Sequence, residues 1–457
     1  MANDTNIVAH TVAPPITRIL ADFVSTHPPR GWDAGVEREA HRSLLNWVGC
    51  AIGASRHPAV EAALAAVYDL VPSPQAMILG RGERVDAGSA ALLNGIASHT
   101  FDFDDTHLKT IIHPAGPVAS AALALAELHR SSGRELVDAV VLGIDIECRI
   151  GNAIYPDHYD RGWHITGSTG MLGAAGACAR ILKLDPHKTA MALGIAASQP
   201  IGVREQFGTM TKAFHIGGAA RAGLASALMA KHGYTASVRA LEAPRGLMRT
   251  YSDKCDWRAV TDELGRRFEV SFNTYKPFAC GIVIHPSIDG CRQLRETHRL
   301  RADEIDRVDL RVHPLVLELT GKRAPKSGLE AKFSVYHACA AVIATGTAGE
   351  AEFSDAAATR SDLVALRDRV HANVDPTIEE SAADVTISCT DGRRFHLRVE
   401  HAIGSLQRPL SDGELQHKFH SLVDPVLGAA RADRLIELCT GLAGADDVDG
   451  LKAAATP

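Results

Sequence analysis

Gly167, Gly170, Gly173 and Gly176 recur every third residue inside an apolar, helix-period stretch. Glycine destabilises a helix interior by about 1 kcal/mol relative to alanine. A run of them needs a packing reason, and the simplest is another helix approaching closer than side chains allow. That requirement points to a bundle of small-residue helices. The same texture runs from Ile16 to about His232, where Ile16, Leu20, Phe23 and Val24 mark one apolar face and Leu44, Leu45, Val48 and Ile52 another. It predicts further helices at 87–101, 116–131, 135–152, 167–183, 188–199 and 213–232. A dinucleotide-binding reading would need G-x-G-x-x-G after a strand, and no such stretch occurs. A Walker loop, a G-x-S-x-G elbow and an H-E-x-x-H helix are missing too.

The periodicity changes near Phe268. Val308, Leu310 and Val312 alternate with polar residues, as do Val385, Ile387 and Cys389, then Phe395, Leu397 and Val399. Asp391-Gly392 between the last two runs is a hairpin signal. Helical patterns at 286–297, 332–346 and 361–368 lie among these strands. Ser411 and Glu414 then form a capping box ahead of a returning helix. The expected fold is mainly α with an inserted α+β domain: helical segments 1–267 and 404–457, with the insert at 268–403. The tail from Ala443 to Pro457 is expected to fray.

Charge and composition narrow the partners. The 457 residues carry a net charge of −6, which offers no electrostatic reason for nucleic acid or an anionic membrane as a partner. Met1 to Pro15 has no basic residue ahead of an apolar run, so no secretory signal is expected there. The most apolar stretch, Ala115 to Ala126, is too short to span a bilayer. Nine scattered cysteines without a C-x-x-C pair predict reduced thiols and a cytoplasmic protein.

Five polar clusters interrupt the apolar helices. The first is His99-Thr100-Phe101-Asp102-Phe103-Asp104-Asp105-Thr106-His107, closing on His113-Pro114. Asp102, Asp105 and Thr106 would share a face if the helix from 87 runs on. The second holds His164, at the start of the glycine-spaced helix. The third runs from Arg204 through Lys212 to His215. The fourth is Tyr275-Lys276-Pro277-Phe278-Ala279-Cys280-Gly281 with His285 beyond, and the fifth is Phe333 to His337 around Tyr336. Each has a plain structural alternative: a capping histidine, a solvated lysine, a core tyrosine. Asp102, Asp104, Asp105 and His113 also suit a metal-dependent hydrolase, although no second cluster with ligand spacing completes the set. A non-catalytic carboxylate-binding scaffold is the third class.

Taken together and in order, HTFDFDDTH…HP, GWHITGSTG, GTMTKAFHIGGAA, YKPFACGIVIHP and AKFSVYHA resemble the MmgE/PrpD family, as does the late R-P-L-S-x-x-E-L-x-x-K-F segment at 408–419. That family includes 2-methylcitrate dehydratases, cis-aconitate decarboxylases and iminodisuccinate epimerases. The resemblance implies a large helical domain with an α+β lid, a homodimer, and a cleft site without metal or organic cofactor. Its site positions fall on Asp102, Thr106, His113, His164, Lys212, Lys276 and Tyr336; Asp102, His113, His164, Lys212 and Tyr336 are expected to be catalytic, and Thr106 and Lys276, with Arg204 and His285 from the polar clusters, to bind substrate. Where the decarboxylase branch carries a histidine after the strand lysine, this chain has Cys280-Gly281. The implied activity is that of a lyase on a small di- or tricarboxylate, foremost a 2-methylcitrate dehydratase-like hydro-lyase. An epimerase using the same carbanion is the alternative within the family. Such chemistry without metal needs cations for the developing charge, a role open to Lys212 and Lys276, and histidines to move protons.

Overall fold

A computed structural model describes residues 13–27 and 31–457, so most of the expectation about Met1 to Pro15 lies outside the described residues. The helical part is built on α1 (Ala34–Gly53), α2 (Ala87–Thr100), α3 (Ala115–His129), α4 (Gly133–Ile154), α5 (Ile165–Ile181) and α6 (Met210–Lys231). Helices α3 and α5 are buried almost all round, which small residues permit. The glycines act as expected. A Cβ on Gly173 would lie 2.7 Å from the Gly143 carbonyl oxygen, and one on Gly95 2.6 Å from the Gly217 Cα. Both approaches are closer than side-chain contact allows, so α4 meets α5, and α2 meets α6, backbone to backbone.

Two short strands tie the helical part to the chain beyond Phe268. Strand β1 (Asp105–His107) pairs antiparallel with β2 (Asn273–Tyr275), with Asp105 opposite Tyr275 and Thr106 opposite Thr274. After helix α7 (His285–His298) comes a four-stranded sheet of β3 (Ile305–Val312), β4 (Val370–Val374), β5 (Ala383–Cys389) and β6 (Arg394–Val399), ordered β4-β3-β5-β6. Only β3–β4 is parallel. The β5–β6 hairpin turns at Asp391-Gly392, where Gly392 takes φ +89°. Helix α8 (Val335–Thr345) is buried from Val335 to Ile343. The chain then returns as α9 (Asp412–Leu427), capped by the Ser411–Glu414 box and packed on α1, where a Cβ on Gly49 would meet the Phe419 ring at 2.8 Å.

Two expectations are corrected. Helix α2 stops at Thr100, and Asp102 adopts φ +49°, so Asp102, Asp105 and Thr106 share no helix face; the last two lie on a strand. The tail does not fray. Residues Asp449–Ala455 form a helix with Leu451 and Ala455 buried, and the Ala455 carbonyl accepts from the Gly80 N–H. All nine cysteines are unpaired, and among the described residues no helix is long and apolar enough to cross a membrane.

Candidate active site

The left-handed Asp102 is held from three directions. Its N–H donates to the His99 carbonyl at 2.9 Å, terminating α2. Its carbonyl accepts from Lys276 Nζ at 3.0 Å, one residue beyond β2. The next carbonyl, Phe103, accepts from Lys418 Nζ of α9 at 2.5 Å, while Lys418 also donates to Asn46 and lies 4.0 Å over the Phe103 ring. A non-glycine residue with positive φ persists only where its surroundings impose it, and here two buried ammonium groups grip consecutive carbonyls.

That backbone aims the Asp102 carboxylate at two lysines. Oδ1 accepts from Lys276 Nζ at 2.6 Å and from Lys212 Nζ at 3.1 Å. Lys212 also sits 2.8 Å from His99 Nε2, and an ammonium can only donate, so His99 carries its proton on Nδ1 and gives it to Asp104 at 2.7 Å. The result is a continuous buried chain, Asp104–His99–Lys212–Asp102–Lys276. Burial alone would push the Asp102 carboxyl up, but Lys212 and Lys276 hold it well below the usual range. Against the cost of burial, Asp102 keeps Lys276 above its ordinary value, whereas burial and the Lys276 charge draw Lys212 down despite Asp102.

The histidines are set differently. His113 Nδ1 lies 2.7 Å from the Asp105 carbonyl oxygen, which only accepts, so the proton is on Nδ1 and Nε2 keeps a free lone pair. His113 is anchored by its own N–H to Thr166 Oγ1 at 3.1 Å, with Thr106 Oγ1 3.3 Å from Nδ1. Burial, with nearby Lys276, draws its pKa down to about 3. His164, at the N-terminus of α5, pairs Nδ1 to Nδ1 with His215 at 3.0 Å; one ring donates and the other accepts. Burial, then Lys212, keeps His164 well below its ordinary value, so both site histidines are neutral. Asp105 behaves oppositely to Asp102: burial and the neighbouring Asp104 charge push it up to about 7, although Asn273 and the Ala115 N–H donate to it.

Asp102, His113, His164, Lys212 and Lys276 line one cavity of about 410 Å³, mouth included, together with Tyr159, Phe207, Gly281, Thr320 and Phe333. Thr106 stands behind His113. Arg204 lies 4.2 Å over the ring of Tyr159 and bonds its carbonyl and Glu318, so it backs the cavity wall without lining it. His285 lines the adjoining space instead. Tyr336 is buried under Arg323, whose guanidinium is 4.5 Å from its ring, and it does not line the cavity. Sequence reasoning gives no site role of their own to His99, His215 and Lys418, and considers Asp104 only as a metal ligand. His99 and Asp104 lie inside the first of the five polar clusters, and Lys418 is the lysine of the late K-F pair.

Donor atoms of His99, Asp102, Asp104 and His113 lie within 4.8 Å of one another, a more complete metal-like set than the sequence suggests. The charges around it argue against a cation there. Lys212 occupies His99 Nε2, and Lys212 and Lys276 share Asp102 Oδ1, so two ammonium groups already stand where a metal's charge would fall.

The MmgE/PrpD N-terminal domain matches residues 18–259, and the MmgE/PrpD C-terminal domain matches 278–442. The cis-aconitate decarboxylase-like protein oryM of Aspergillus oryzae is 27% identical over 466 residues, covering 96% of each chain. A cis-aconitate decarboxylase of Aspergillus terreus is 25% identical over 89% of each chain. The Homo sapiens cis-aconitate decarboxylase is 29% identical over 78% of this chain and 77% of its own. With both domains matched along most of its length, the chain belongs to the MmgE/PrpD family.

Proposed function

We propose that this chain is a lyase that takes a proton from the carbon next to a carboxylate of a small di- or tricarboxylate and expels water. The observation that carries the reading is the convergence of Lys212 and Lys276 on one carboxylate oxygen beside the free Nε2 of His113. Substrate carboxylates compete with Asp102 for the two ammonium groups, which then hold the charge that grows on the enolate oxygens. His113 Nε2 accepts the carbon-bound proton. A bound polyanion raises the histidine's proton affinity from its low resting value, because opposite charge favours the protonated form. The same polyanion raises the proton affinity of His164, which enters the step protonated, gives that proton to the departing hydroxyl so that it leaves as water, and returns to the neutral ring paired with His215. Thr106, Arg204, Asp104 and His99 orient these groups, while Tyr336 and His285 take no part in the proton transfers.

Decarboxylation is the second reading, favoured by the activity named for the relatives at 25–29% identity. Against it, the wall beyond Lys276 is Gly281, so no titratable side chain stands there. Epimerisation would use the same carbanion without a leaving group. We also propose a homodimer, because Val203, Met210 and Phe214 are 45, 45 and 44% exposed next to the cavity residues Phe207 and Lys212. Incubating the protein with methylcitrate, citrate, aconitate isomers and iminodisuccinate, with and without EDTA, and following products by proton NMR tests the reading. Alkene formation unaffected by chelation is expected. Turnover lost with EDTA and restored by a divalent ion would favour the metal-dependent hydrolase, and tight binding without turnover the non-catalytic scaffold.

A further inference from the structure

His164 and His215 are both buried, and their rings meet Nδ1 to Nδ1 at 3.0 Å. With Nδ1 engaged, Nε2 is the nitrogen that His164 has left for the cavity it lines. Two glycines make room for this contact. Gly202 takes φ +103°, and a Cβ there would stand 3.0 Å from Cγ and Nδ1 of His215 and 3.2 Å from Cβ of His164. On α5, a Cβ at Gly167 would lie 3.0 Å from Cβ of His215. The Gly202 carbonyl also accepts the His164 N–H at 3.1 Å, which ties this loop to the ring pair.

We infer that His215 is a positioning residue: it accepts the Nδ1 proton of His164, so that His164 can carry a second, acidic proton on Nε2. The inference rests on the proposed function, in which His164 enters the step protonated. An imidazolium has an N–H on both nitrogens, and a buried N–H without an acceptor is costly. The charged and titratable groups that face His164 all oppose the added charge: Lys212 from α6, and His99 and His113 from the first motif. Lys212 and His99 face His215 as well. His164 also stands at the N-terminus of α5, the positive end of a helix. The motif's carboxylates are taken, Asp102 by Lys212 and Lys276 and Asp104 by His99. Arg204, two residues beyond Gly202, is turned to Glu318. The Nδ1 lone pair of His215 is therefore the acceptor within reach, and His215 keeps its own proton on Nε2. When the polyanion arrives, His164 takes a proton from solvent on Nε2 while its Nδ1–H donates to His215. The Nε2 proton goes to the departing hydroxyl, and the ring returns to neutral with Nδ1–H still on His215.

The dependence of kcat on pH, with citrate or methylcitrate as substrate, tests this. A general acid makes kcat fall as pH rises through its pKa in the bound complex. His215→Leu leaves the His164 Nδ1–H without an acceptor, so the descending limb should move about one to two units toward acid pH. On that limb kcat should fall about tenfold for each unit of displacement. His215→Asn, whose amide oxygen accepts the same proton, should bring the limb most of the way back. In the His164→Ala background His215→Leu should add no further loss. Coincident limbs in wild type and His215→Leu would overturn the inference, as would a loss at every pH that follows melting temperature in both His215 variants. Nitrogen-15 NMR gives a second reading that does not depend on the leucine variant folding. In His113→Ala saturated with citrate, the His215 signal, identified by its loss in His215→Asn, should report a neutral ring with its proton on Nε2; a proton on Nδ1 would overturn the inference. These results leave the acid/base reading standing, whereas a wild-type enzyme that neither consumes nor binds any polycarboxylate defeats the proposed function and this inference with it.

Discussion

Lys212 and His164 stand on the same cavity but are charged differently, and their replacement should fail in different ways. On the proposed reading Lys212 meets an anionic substrate in both ground and transition states, so Lys212→Ala is expected to raise KM and also lower kcat. His164 is neutral and placed to move a proton, so His164→Ala should lower kcat by roughly a hundred- to ten-thousand-fold with KM little changed. Melting temperature and turnover measured on the same samples separate this from a folding defect; a destabilised but fully active His164→Ala would remove the residue from the mechanism. Asp105 allows a prediction in pH. Its folded pKa of about 7 is above the ordinary carboxylate value, so between these two values the native state binds more protons than the unfolded chain. Its contribution to stability is therefore full at acid pH and is lost as pH rises through about 7, at up to about 1.4 kcal/mol per pH unit in that window. Asp105→Asn should flatten this part of the stability–pH curve, measured by urea unfolding at pH 4 to 7. An unchanged slope would mean that Asp105 is ionised throughout.

Among the elements, α9 has a role its position in the sequence conceals. It comes from the far end of the chain, packs on α1, and delivers Lys418 to the Phe103 carbonyl beside the strained Asp102. Burial draws the Lys418 ammonium down to about 8, so it is held in place at a cost. Lys418→Met should release the loop and lower kcat at least about tenfold, because Asp102 no longer fixes Lys212 and Lys276 against the substrate. Lys418→Arg should recover part of that loss, whereas a purely structural lysine would lower the melting temperature on replacement by Met and leave turnover per folded molecule unchanged in both variants. The helices themselves are legible in the sequence, because their small-residue periodicity is strong: α2 to α6 fall within three residues of expectation at each end. The error at Asp102 has a physical cause. Nothing local in Phe101-Asp102-Phe103 marks a helix stop, and the left-handed turn is imposed by lysines 174 and 315 residues further on. Strand β4 escapes the sequence for a similar reason, since Val370–Val374 lacks clean alternation and pairs in parallel with a strand some sixty residues earlier.

At the scale of the whole molecule, the site is assembled from segments that share no local signal. Lys212, Lys276 and the motif from His99 to His113 meet only because α2 and α6 touch at Gly95 and Gly217 and because β1 pairs with β2. The sequence marks the motifs individually and their family resemblance collectively, which is why Asp102, His113, His164, Lys212 and Lys276 can be expected together. His99 cannot, because its part depends on a lysine 113 residues away taking its Nε2. Tyr336 is expected in the cavity, yet packing under Arg323 keeps it out. The division of the chain at about 268 and 403 remains our proposal, supported by the return of α9 onto α1 and by the sheet's confinement to residues 305–399. The central claim is that the buried lysine pair and His113 make and hold a carbanion next to a carboxylate. Proton NMR in deuterated water, with citrate or methylcitrate and the His164→Ala variant, tests it most directly. The account predicts that deuterium enters at the carbon next to a carboxylate even where expulsion of water is blocked, and that His113→Ala abolishes this exchange. Retention of every carbon-bound proton by the wild-type enzyme while it consumes substrate would contradict it.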